Sequence, residues 1–435
     1  MKGLADEPQY SVDLLDGGTL LHHVVSNHIS EQTLAEKNAF FVADLGVVMR
    51  QHVRWRTSLP QIRPYYTVRC NSSPALIEVL AALGTGFICT NKSELEMVQS
   101  HGVPSEDIIY SGGCKQLSHI KYAAKSGVDL LVCDNEAELR KIARCHPTAK
   151  LLLQVWTEAS GRGAELSVRL GCTLKDCRRL LESAVELGVQ VVGVRFNISS
   201  CDDEQAYAHA MADARCVFDM GEDLGFNMNI INRAVMSVVD LYFPPSAGVC
   251  VAAEPGAYLV APAFTLAVNV VSKEVVARDL QDHEQDEPSS DDEPEFQYYI
   301  SEGVYGSFSC KLADTVIPVP AVHKSTAPDE PVFSSSLWGP SGDDMDQVVE
   351  QCVLPELYPG DWLVFADAGG FGLGQPMGGG GVDMPAPPVY YVISTRDWFE
   401  MQDTGITQEI NLKNFSLVPY FFKSCQSGAA FSVPA

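Results

Sequence analysis

The chain has 435 residues, 46% of them hydrophobic, enough for one large core or two adjoining ones, so a small disulfide-stapled domain is excluded. Its formal net charge of −26 argues against a broad nucleic-acid surface or an anionic membrane face and suits a basic partner better. Thirteen scattered cysteines, without a C-x-x-C pair or an H-E-x-x-H array, give no reason to expect a zinc site; most should be reduced and buried, as in cytosol or nucleus.

The N-terminal MKGLADEPQYSV lacks the basic-then-apolar order of a signal peptide, and no run of eighteen apolar residues follows, so a soluble intracellular chain is expected. Asn38–Asp44 (NAFFVAD) reads as a strand that joins a later β domain. From Pro64 to Pro255 short β-rich runs alternate with helical patterns. The strand candidates are Tyr65–Arg69, Phe87–Thr90, Asp107–Ser111, Val128–Cys133, Leu151–Trp156, Val191–Phe196, Asn227–Ile231 and Val249–Ala253. Helical stretches such as Ala75–Leu83, Gln116–Ala124, Glu136–Ala143, Lys175–Leu187 and Asp213–Leu224 lie between them. Eight such units predict an α/β fold, a compact (β/α)8 barrel.

After Tyr258 the pattern changes to strand-like runs at Phe264–Val276, Phe296–Tyr299, Val332–Leu337, Trp362–Phe365 and Val389–Ile393, separated by Pro, Gly and Asp, which predicts a second, antiparallel β domain. The expected organisation is an N-terminal segment, 1–44, a barrel, 45–257, and a mainly β domain, 258–435. Asp279–Glu295 is acidic and poor in apolar residues, as a disordered surface excursion would be. Gly369–Gly381 is glycine-dense but lacks the strand-to-helix context of a phosphate cradle.

In a barrel of this kind chemistry sits at the carboxyl ends of the strands, here Arg69, Ile88, Ser111, Asp134, Asn197, Asn232 and Glu254. They make no evident set of acid, base and nucleophile. Against the acidic background, Lys115–Lys150 is a basic island, with seven cations against four carboxylates. Lys121 and Lys125 share a helix face, and Lys141 with Arg144 repeats the arrangement; taken alone this is most simply a solvated face. Cys172/Cys177 and Cys145/His146 are most simply helix-face or loop residues.

Ile62–Pro74, IRPYYTVRCNSSP, resembles the Pro-Phe-Tyr-Ala-Val-Lys-Cys-Asn segment of the ornithine decarboxylase family. The similarity continues through KNAFFVADLG at Lys37, CKQLSHIKYAAKSGVDLLVCDNEAEL at Cys114, DARCVFDMG at Asp213, EPGAY at Glu254, EGVYGSF at Glu302, SSLWGPSGDDMDQ at Ser335 and PELYPGDWLVF at Pro355. It is strongest toward the antizyme inhibitors, the non-enzymatic branch of that family. The resemblance implies an alanine-racemase-like barrel plus a β-sandwich or barrel domain, with a degenerate pyridoxal phosphate site. Arg69 stands where the family has its Schiff-base lysine, and a guanidinium of pKa above about 12 cannot do that chemistry. Ile88 replaces an acidic residue, Asn197 the ring-stacking histidine, Ala257 a phosphate arginine, Gly342 a cysteine that reaches the neighbouring subunit, and Phe371 a phosphate tyrosine. Glu254, Asp314 and Asp343 match retained carboxylates. A glycine-rich loop of the family is missing after Ile231.

No cofactor and no catalytic residue are therefore expected. By resemblance, antizyme would bind Lys115, Gln116, Lys121, Tyr122, Lys125, Glu138, Lys141 and Arg144, releasing ornithine decarboxylase from inhibition and degradation and so raising polyamine synthesis and uptake. Cytoplasmic and nuclear location, a monomer or weak homodimer, and no nucleic-acid or membrane partner complete the expectation. A divergent pyridoxal-phosphate decarboxylase and a non-functional splice form are the alternatives.

Overall fold

The structure, a computed structural model of the chain, describes residues 10–32, 37–156, 171–196, 204–232, 242–276, 294–313, 318–323, 329–370, 386–403 and 415–420. Two strands come first, β1 (Tyr10–Leu15) and β2 (Phe40–Asp44). The next eight are β3 (Ile62–Thr67), β4 (Gly86–Cys89), β5 (Ile108–Tyr110), β6 (Leu130–Cys133), β7 (Lys150–Val155), β8 (Gln190–Phe196), β9 (Ile230–Asn232) and β10 (Cys250–Ala253). All pair in parallel and close into a barrel in the order β10-β3-β4-β5-β6-β7-β8-β9. Short apolar runs such as Gly86–Cys89 and Ile108–Tyr110 are buried throughout, as strands covered on both faces require.

Closure passes through β9, which bonds to both β8 and β10. Gly193 permits it: a Cβ there would meet the Ile230 carbonyl oxygen at 2.0 Å. Tyr65, Ile88, Ile109, Val132, Leu152 and Ala252 form a separate small cluster contributed by barrel strands, so the barrel centre is packed apolar matter.

The outer helices include α1 (Leu21–Glu31), α2 (Leu45–Ser58), α3 (Pro74–Ala82), α4 (Lys92–Ser100), α5 (Leu117–Lys125), α6 (Glu136–Cys145), α7 (Leu174–Leu187) and α8 (Glu204–Asp223). Local chemistry sets several starts. Asn91 and Asn135 each accept the backbone N–H of a glutamate three residues on, at 2.9 Å, before α4 and α6.

The remaining strands are β11 (Phe264–Val276), β12 (Glu295–Ile300), β13 (Pro320–Val322), β14 (Val332–Trp338), β15 (Gln347–Pro355), β16 (Trp362–Phe365), β17 (Val389–Ser394) and β18 (Phe415–Pro419). With β1 and β2 they form a sheet whose main path is β15-β14-β12-β11-β2-β17-β1-β18. This sheet is mixed, which corrects the antiparallel expectation: β1 is parallel to β17 and β18, β17 to β2, and β12 to β14. The parallel partners of β1 and β2 come from opposite ends of the chain, where hairpin turns do not dictate direction. Barrel and sheet share one large core that contains Val12, Phe41, Tyr66, Val268 and Ile393. Residues 279–293 of the acidic stretch and 371–381 of the glycine-dense stretch lie outside the described residues.

Candidate functional site

The barrel mouth begins where β3 runs into a short 3-10 turn, Val68–Cys70. Arg69, in that turn, is exposed and makes no ion pair among the described residues. Ile88 points the other way in chemistry as well as place, buried in the apolar barrel layer. Glu254 follows β10 directly. Its Oε1 accepts from Arg195 Nε at 2.8 Å and its Oε2 from Arg195 Nη2 at 3.0 Å, a two-pronged pair. Thr67 Oγ1 donates to the same carboxylate at 3.3 Å, and Arg195 Nη1 donates to Gln154 Oε1 at 2.5 Å. The arginine and glutamate side chains are only 12% and 5% exposed.

Ala257 lies exposed in the short helix α9 (Gly256–Val260) and offers no charge. Gly342 takes φ +72, the left-handed region that favours glycine. Next to it, Asp343 accepts from Tyr305 Oη at 2.9 Å and from the Met345 N–H at 2.9 Å. These bonds, the backbone one first, hold its carboxyl below the ordinary range. Asn197, Asp314 and Phe371 lie outside the described residues.

A second constellation lies on the outer wall. Lys121 and Lys125 are exposed on α5 and Arg144 on α6, with Gln116 exposed at the start of α5. Tyr122 is half-buried, with the Lys92 ammonium 5.0 Å from its ring centroid. Beneath them Lys115 and Glu138 are buried, 4% and 3% exposed. Lys115 Nζ donates to the Gly112 carbonyl at 2.8 Å and the Val132 carbonyl at 2.5 Å, and lies 3.8 Å from Glu138 Oε2. Lys141 Nζ pairs with Glu138 Oε1 and donates to the Lys115 carbonyl at 2.8 Å. Burial pulls the Lys115 ammonium below its ordinary pKa, with Glu138 opposing the shift.

Residues 45–233 match the family model described as the pyridoxal binding domain of pyridoxal-dependent decarboxylases. Antizyme inhibitor 1 of Pongo abelii is 50% identical over 436 residues, a match covering 96% of this chain and 97% of that one. The chain belongs to the antizyme inhibitor and ornithine decarboxylase family. Ornithine decarboxylase of Mus pahari is 41% identical, covering 94% of each chain. Among solved structures, arginine decarboxylase of Paramecium bursaria Chlorella virus superposes with a TM-score of 0.73 at 25% identity, covering 85% of this chain and all of that one.

The family's cofactor does not fit the residues present. At Arg69 the side chain has no amine to condense with an aldehyde. Glu254, the carboxylate the family resemblance assigns to the pyridine nitrogen, has each oxygen bonded to Arg195. Ala257, where the family resemblance has a phosphate-binding arginine, carries no charge. Arg195 did not figure among the sequence candidates, although a cation inside the apolar run VVGVRF was a signal: a charge within a barrel strand needs a counter-charge.

On the outer wall the structure separates residues that the sequence grouped. Lys121, Lys125, Gln116 and Arg144 are available to a partner. Lys115 and Glu138 are not, because the backbone carbonyls of Gly112 and Val132 draw the Lys115 ammonium inside and Glu138 follows it as counter-charge. They position the α5–α6 surface rather than forming it. Lys92 joins that surface from α4 and was not anticipated. Among the described residues no helix is long and apolar enough to cross a membrane, and no cluster of three or more His, Cys, Asp or Glu could hold a metal ion.

Proposed function

We propose that this chain binds antizyme-type proteins through the exposed face of α5 and α6 and carries no decarboxylase activity. The observation that carries the reading is the exposure of Lys121, Lys125 and Arg144 on neighbouring helices, in a chain half identical to an antizyme inhibitor along nearly its whole length. Lysine and arginine heads on solvent-facing stems meet an acidic patch on a partner without first breaking internal pairs. Arg140 contributes less, since its guanidinium is engaged by Glu136 at 2.6 Å.

The mechanism is mass action. Antizyme held on this face is withdrawn from ornithine decarboxylase, in proportion to the affinity and concentration of the two competitors. Cytoplasm and nucleus are the compartments in which that competition would operate. The Arg195–Glu254 pair and the chemistry of Arg69 support the absence of turnover.

Two measurements test this. Purified chain should capture purified antizyme and restore the activity of antizyme-inhibited ornithine decarboxylase, and the Lys121→Glu/Lys125→Glu variant should do neither. Carbon dioxide release from ornithine, lysine or arginine by the chain with added pyridoxal phosphate would instead establish a divergent decarboxylase.

A further inference from the structure

We infer that Arg195 is a built-in occupant of the barrel mouth: Glu254 and its neighbours form a niche for a small planar cation, and the chain fills it with its own guanidinium. The inference does not depend on antizyme binding. It starts from register. Gln154 on β7 is paired with Arg195 on β8, and Arg195 with Asn232 on β9, while Asn232 is also paired with Ala252 on β10, two residues before Glu254. Leu152, Ile230, Ala252 and Tyr65 belong to the apolar cluster of the barrel. Strand alternation puts the residues two further along, Gln154, Asn232, Glu254 and Thr67, on the same side one layer higher. The barrel therefore carries a polar layer directly above its apolar one.

That layer sets the Glu254 carboxylate among buried polar groups, where it calls for a counter-charge. Asn232 is fully buried, and neither its Nδ2 nor its Oδ1 has a hydrogen-bond partner among the described residues; the same holds for Gln154 Nε2. Burying such groups is unfavourable, and burying a carboxylate beside them more so unless it is paired. Arg195 pairs with that carboxylate. Its fork meets both oxygens of Glu254 while a third nitrogen reaches Gln154, a contact set that a single ammonium cannot reproduce. Because each Glu254 oxygen is already bonded to the guanidinium, an external pyridinium or amidinium meets an occupied carboxylate.

The test is chemical rescue in the full-length chain. Arg195→Ala leaves a buried carboxylate facing the space of the lost guanidinium, and its melting midpoint should fall by roughly 5 °C. Methylguanidinium chloride at about 10 mM, below denaturing levels, should recover at least half of that loss by binding the folded state. Methylammonium chloride at the same concentration should not, and the wild type should respond to neither. The double variant Arg195→Met/Glu254→Gln removes both charges, so it should melt above Arg195→Ala and ignore methylguanidinium. If Arg195→Ala does not fold, folding of the double variant supports the inference, and a double variant that also fails overturns it. Equal rescue by methylammonium, no rescue by either, or pyridoxal phosphate binding to wild type that is lost in Glu254→Gln would each overturn it.

Discussion

His52, in α2, is buried, and its Nε2 has no hydrogen-bond partner among the described residues. Burial, with the Arg56 cation adding to it, lowers the ring pKa from 6.5 to about 4. Between those values the unfolded chain binds a proton that the folded chain refuses, so stability falls as pH falls through that window. The loss attributable to this ring is roughly 2–3 kcal/mol, and melting curves of His52→Gln between pH 7 and 4 should show a correspondingly flatter decline. Arg69→Lys makes the complementary point about chemistry. It places an amine in the turn after β3, yet Glu254 remains held by Arg195 and Ala257 still offers no charge, so neither a Schiff-base absorbance nor ornithine turnover should follow. Detectable turnover by this variant would show that one residue had silenced the site.

At the scale of elements, α5 and α6 divide into a surface and the latch beneath it. Reversing Lys121 and Lys125 acts on the surface alone. Antizyme affinity should drop at least about tenfold while the melting midpoint barely moves, because both side chains are exposed. Glu138→Gln acts on the latch. It leaves the buried Lys115 ammonium without its counter-charge and frees Lys141, at a cost of roughly 3–5 kcal/mol in stability. Antizyme should then dissociate faster with little change in association rate, since the steering charges stay in place; surface plasmon resonance separates the two cases. The barrel strands and the helices between them were legible because runs such as FIC and LLLQV are buried on both faces and punctuated by turns. The sheet was legible only in part. β1, β13, β15 and β18 were missed; for β1 and β18 the reason is that short runs such as YSVDLL and FSLVP depend for their order on partners from the other end of the chain. Similarly, nothing in CKQLSHIK marks Lys115 as internal, because the carbonyls that draw it in belong to a loop and to a neighbouring strand.

Across the whole molecule, the shared core decides how the chain unfolds. Val12 and Ile393 from the sheet belong to the same apolar cluster as Tyr66 and Leu80 from the barrel side. A polar tie crosses the same boundary: Tyr10, on β1, donates to Glu78 on α3, and His101 Nδ1 lies 3.8 Å from that carboxylate. Because β1 lies between β17 and β18 in the sheet, strain at Tyr10 spreads through three strands. Barrel and sheet should consequently lose structure together, with the calorimetric and van 't Hoff enthalpies of wild type agreeing. Tyr10→Phe removes the hydroxyl that donates to buried Glu78, which costs about 1–3 kcal/mol. Its thermogram should move to lower temperature as one peak, without a shoulder. Hydrogen exchange should rise in β1, β17 and the barrel strand β3 alike. Two resolved transitions, or exchange confined to the sheet, would mean that the core is divided and that Tyr10 secures the sheet alone.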